Sequence, residues 1–259
     1  MARVRRTRLR RSHAAPGIRV PSPVMIERRA FLALAAIRRD GVDVRQHFRV
    51  RESGRAGEAP LGPLVVWNDV EFAPHSGFGL RAHRDVEIVT WVRSGAITHE
   101  DDAGNRARLV ANSVHVMSAG AAIHCAERND ENVPARQFQI RLRPRAPAST
   151  SRCATRVCSL GCRESRFVTL ASGDPEDVRA GALPIHADAR MRIATLREGT
   201  AMQHALPLSG SAYLVVEHGR VDVGHITLAR RDGIAIRDET CVTLRAKDDT
   251  DVVIVELLR

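Results

Sequence analysis

The chain has 259 residues, 44% hydrophobic and 27% charged, the balance of a globular protein with room for one large core or two smaller ones. No apolar run approaches the roughly 18 residues a membrane-spanning helix needs, and the composition is too apolar for a wholly disordered chain. The net charge of +10 raises nucleic acid as a partner, but its distribution argues against one. Arg3, Arg5, Arg6, Arg8, Arg10, Arg11 and Arg19 place seven positive charges and no acid in the first 24 residues, leaving +3 for the rest. With a single lysine, Lys247, and nine aromatic residues, the body offers little to stack on bases.

Residues 1–24 therefore read as a basic, disordered arm. Arg28-Arg29-Ala30-Phe31-Leu32 resembles a twin-arginine export motif, yet the apolar run after it is short and ends in Arg38-Arg39-Asp40, so a strand or helix packed on the first domain is the better reading. From Leu64 onward short β-like runs alternate with turn signals: Leu64–Trp67, Val86–Arg93, Ala96–His99, Val114–Met117 and Gln137–Leu142. Residues 144–151 are rich in Pro, Ala and Ser and break the pattern, which predicts a linker over 144–165 between a first domain, 25–143, and a second, 166–259. The β texture then returns at Met191–Leu196, Ser211–Glu217, Arg220–Val223, Gly233–Ile236, Cys241–Arg245 and Val252–Leu257. Such spacing predicts an all-β chain of two tandem barrels. Both halves carry a strand–Gly–strand figure, at Gly95 and at Gly219, as a duplication would. Five cysteines, an odd number, without a clear secretory signal predict reduced thiols and a cytoplasmic protein with no membrane anchor. Cys153, Cys158 and Cys162 lack the paired spacing of a structural zinc site.

The stretch from Gly77 to Val92, with Gly95, His99-Glu100-Asp101, Gly104-Asn105 and Met117-Ser118-Ala119-Gly120, resembles the pirin family of bicupins. It is especially similar to the bacterial branch known as quercetin dioxygenases, and Asp232-Gly233-Ile234-Ala235-Ile236 with Asp238-Glu239 is similar to that branch's second domain. The resemblance implies two tandem cupin jelly-roll β-barrels, with a mononuclear metal, usually iron, in the first barrel alone. In the family an H-x-H pair and an H-x-E pair hold that metal. Carried over residue by residue, these positions fall on Arg81, His83, Cys125 and Glu127, so two of the four ligands are replaced.

Residues i and i+2 of a strand share a face, so Arg81, His83, Asp85 and Glu87 are expected to point one way, and Cys125 and Glu127 together another. His124 would reach the interior only through a bulge. A guanidinium is always charged and repels a divalent cation, but pairs well with a carboxylate. The expectation is thus an ion pair of Arg81 with Glu127 or Glu87 in the metal's place, no tightly bound cofactor, and a non-catalytic or weakly active member that binds a flavonol-like small molecule or a protein. The alternative is a divalent metal, iron foremost, held by His83, Cys125 and Glu127 with Glu87 or His124 as substitutes. Glu127 would then serve as catalytic base in flavonol ring opening. His186, His204, His218 and His225 form no H-x-H pair, so no metal is expected in the second barrel.

Overall fold

The computed structural model describes residues 26–50, 61–159 and 163–258; the basic arm and Cys162 lie outside them. The first half of the chain holds β1 (Glu27–Arg29), β2 (Ala35–Arg39), β3 (Val42–Arg49), β4 (Leu64–Phe72), β5 (Ser76–His83), β6 (Glu87–Ser94), β7 (Ala96–Asp101), β8 (Arg106–Val110), β9 (Ser113–Ser118), β10 (Ile123–Asn129), β11 (Ala135–Leu142) and β12 (Arg152–Val157). The second holds β13 (Val168–Ser172), the short helix α1 (Pro175–Arg179), β14 (Leu183–Pro184), β15 (Ala189–Leu196), β16 (Ala201–Ala205), β17 (Ala212–His218), β18 (Val221–Val223), β19 (Ile226–Leu228), β20 (Gly233–Ile236), β21 (Cys241–Ala246) and β22 (Thr250–Leu257). Every run read as β from the sequence lies in, or largely overlaps, one of these strands.

Each half is a jelly roll built from a seven-stranded and a four-stranded sheet. In the first the orders are β12-β9-β6-β11-β4-β3-β2 and β5-β10-β7-β8; in the second, β1-β20-β17-β22-β15-β13-β14 and β16-β21-β18-β19. Gly95 and Gly219 sit where β6 passes into β7 and β17 into β18, so each marks a crossing from the large sheet to the small one. Both have positive φ, 71° and 74°, and a Cβ would lie 2.7 Å from Pro134 O at the first and 2.3 Å from Asp249 O at the second. Glycine is required at both corners by conformation and by space.

The two large sheets pack on one another through a shared core that includes Phe48, Trp67, Trp91 and Phe138 from the first half and Met191, Tyr213, Val253 and Val255 from the second. Ion pairs cross the same seam: Asp69 accepts from Arg93 (2.6 Å) and from Arg231 of the second half (2.7 Å), and Arg93 also meets Glu217 at 2.5 Å. The Tyr213 hydroxyl donates to the His47 carbonyl.

Composition misplaced two boundaries. The segment expected to be a linker contains β12, which pairs with β9 along six residues; its alternating burial is that of an edge strand, which carries little hydrophobic signal. At the other end, β1 pairs with β20 of the second half, and Arg28 reaches Asp232 at 2.7 Å. The arginine pair of the export-like motif is thus used in packing: Arg29 donates to the His47 carbonyl.

Candidate functional site

The family's metal-ligand positions lie on β5 and β10, neighbours in the small sheet of the first half. Their register carries a bulge: Cys125 faces Arg81, but Glu127 faces Phe78, so β5 has one residue more than β10 over this span. Bulges of this kind re-aim side chains. Arg81 is exposed, and its guanidinium stacks on the Phe78 ring, 3.9 Å from the centroid. It pairs with no carboxylate among the described residues, which overturns the expected Arg81–carboxylate ion pair.

The two carboxylates are engaged elsewhere. Glu127 is buried, and its Oε1 accepts from Thr90 Oγ1 (3.2 Å) while its Oε2 accepts from Gln137 Nε2 and Gln139 Nε2 (both 2.8 Å). Neutral amide and hydroxyl donors thereby hold a buried carboxylate. Glu87 opens β6, in the other sheet; Oε2 accepts from Ser118 Oγ (2.8 Å) and from the His186 backbone of the second half (3.1 Å). The expected alternation from Arg81 to Glu87 fails because β5 ends at His83 and Asp85 turns the chain at φ 46°. Glu87 is therefore neither a fourth ligand nor a partner of Arg81. His124 is exposed and hydrogen-bonded to Asp102 at 2.7 Å, so the bulge does not bring it inside.

His83 and Cys125 are both buried. Burial, with the Arg141 and Arg81 charges nearby, lowers the His83 pKa to about 4. Burial and the neighbouring Glu127 push the Cys125 thiol up to about 12. Arg141 is half-buried, and its Nε and Nη2 donate to Gln139 Oε1 (3.2 and 2.9 Å) without a carboxylate partner among the described residues. A cation thus backs the Gln139–Glu127 network. The donor set does not fit the family's metal: Arg81 offers no lone pair and is turned onto Phe78, a cysteine stands at a histidine's place, Glu127 already accepts three hydrogen bonds, and no group of three His, Cys, Asp or Glu converges among the described residues.

Two histidines that no sequence spacing recommends come together here. His99 and His115 lie in different sheets, yet their rings stand 4.5 Å apart inside the first jelly roll. His99 is cross-strand from Glu127, and His115 from Thr90. Spacing gives no hint of this pair.

Comparison with known proteins matches the two halves separately. A family described as Pirin matches residues 45–142, and one described as quercetinase C-terminal cupin domain matches residues 169–257. A pirin-like protein of Caulobacter vibrioides is 41% identical over 90% of this chain and 99% of its own. A quercetin 2,3-dioxygenase of Escherichia coli is 28% identical over 75% of this chain and 82% of its own. Among solved structures, the bacterial pirin YhhW of E. coli in complex with nickel(II) superposes with a TM-score of 0.81 at 25% identity, covering 90% of this chain and 99% of that one.

Proposed function

The chain belongs to the pirin family of two-cupin proteins, and on that premise we propose that it is a binding member, one that takes a small oxyanion-bearing molecule at the mouth of its first jelly roll without metal-dependent oxygenation. The observation that carries this is the state of Glu127, whose two oxygens are taken up by Thr90, Gln137 and Gln139. A metal at this position would have to compete with three neutral donors for the carboxylate. Two guanidiniums, Arg81 and Arg141, sit around His83 with no carboxylate of their own among the described residues. Guanidinium suits a carboxylate or an ionised enol such as a flavonolate. The described cysteines are all free thiols, which suits a cytoplasmic protein, and no described helix is long and apolar enough to cross a membrane.

The test is to incubate the protein with iron(II) or nickel(II) and follow flavonol consumption alongside the double variant Arg81→His/Cys125→His. The wild type should bind flavonol without consuming it, and the double variant should gain metal at this position. Turnover by metal-loaded wild type, abolished by Glu127→Gln, would establish the oxygenase reading instead.

A further inference from the structure

The interior of the first jelly roll holds buried polar atoms with no hydrogen-bond partner among the described residues. Both ring nitrogens of His99, Nε2 of His115 and Oε1 of Gln137 are buried without a hydrogen-bond partner. His99, His115 and Gln137 are 2%, 3% and 0% exposed. An unpartnered buried polar group is costly, so four such atoms in one compartment signal a further occupant. They lie around Glu127: Gln137 donates its amide to that carboxylate, His99 is its cross-strand neighbour, and Thr90, which also donates to it, is cross-strand from His115.

We propose that His99 and His115 form a binding site for one borderline transition-metal ion, of the copper(II), nickel(II) or zinc class, distinct from the Arg81/His83/Cys125/Glu127 positions. Imidazole nitrogen is the donor these ions prefer. Burial lowers the His115 pKa to about 4, which leaves the lone pair on the ring available. Its Nδ1 is hydrogen-bonded to Thr155 Oγ1 at 2.8 Å, orienting the imidazole from behind. A metal–nitrogen bond of about 2.0–2.1 Å places each ring centre ~3.2 Å from the ion, so two rings on one ion at 90–110° stand roughly 4.5–5 Å apart. The observed separation is 4.5 Å. Among the described residues no third His, Cys, Asp or Glu completes the group; Gln137 Oε1 is the remaining donor there, and water fills the other positions. Glu127 lies in the same compartment and its charge offsets that of the ion.

The experiment is a copper(II) titration of the full chain, read by bound metal after dialysis and by the nitrogen hyperfine pattern of its electron spin resonance. One ion per chain with two imidazole nitrogens is expected, unchanged in Cys125→Ser and His83→Gln and weakened at least tenfold in His99→Gln and His115→Gln. Gln at 115 keeps a side chain that can meet Thr155. Binding untouched by His115→Gln assigns the ion to exposed histidines and overturns the proposal, as does binding abolished by Cys125→Ser, which would restore the family's positions. No bound ion in the wild type also overturns it and leaves the compartment to water. Should either histidine variant fail to fold, the two-nitrogen signature of the wild type, present or absent, decides the matter. None of these outcomes depends on whether flavonol is consumed.

Discussion

The interiors of the two jelly rolls occupy equivalent places and are filled with opposite chemistry. With the corner glycines Gly95 and Gly219 superposed, strand registers carry the correspondence across both units. Thr90, cross-strand from Gln139 and His115, matches Leu214, cross-strand from Ile254 and Ile234. Gln137, opposite Val92, matches Val252, opposite Val216. His99, opposite Glu127, matches Val223, opposite Leu244. All these second-unit residues belong to one buried hydrophobic cluster. The frame needs only a side chain of suitable volume at each place, and the second unit fills every one with hydrocarbon. A polar set in the first unit that must be hydrogen-bonded to survive burial has no such structural necessity behind it. The proposed function of the first interior rests on that asymmetry.

The largest effect is expected from moving one residue's chemistry from the first interior into the second. Leu244→Glu puts a carboxylate where the second unit has no donor, and is expected to cost about 4 kcal/mol or more, seen as insoluble expression or a collapsed melting temperature. The reverse change, Glu127→Leu, removes the acceptor of three buried donors. About 3 kcal/mol of stability should be lost in denaturant titration; a neutral result would mean that water already serves these donors.

The smallest effect lies at the seam between the units. His47 is fully buried and its pKa is lowered to about 4, chiefly by burial. A histidine with a folded pKa below its unfolded one binds its proton more readily in the unfolded chain, so stability is present above the unfolded value of 6.5 and declines as pH falls toward the folded value. Between pH 7 and pH 5 this group alone should withdraw about 2 kcal/mol. His47→Phe keeps a ring among Trp67, Phe138 and Tyr213 and should flatten the pH profile by that amount; an unchanged slope would assign the acid sensitivity elsewhere.

How far the sequence could be read depends on which face of a strand is apolar. β6, β17 and β22 bury nearly every side chain and stand out as hydrophobic runs. β5 and β10 do not, because residues such as His83, Cys125 and Glu127 interrupt the pattern with polar or reactive groups, and only the family resemblance located them. The resemblance supplied positions but not directions. Arg81 sits at the predicted place, yet a single extra residue in β5 lets its guanidinium fold back onto Phe78. The His99–His115 pair was illegible for a different reason: the residues approach one another across the gap between sheets, and no periodicity along the chain records that distance.

The pairing of β1 with β20 also bears on how the chain is made. β1 leaves the ribosome long before its partner at Gly233–Ile236 does. Until then its edge stays uncovered, the kind of exposure that invites wrong pairing between nascent chains. Arg28 and Arg29, charged and exposed at that stage, would act as guards on the waiting edge before they settle against Asp232 and the His47 carbonyl.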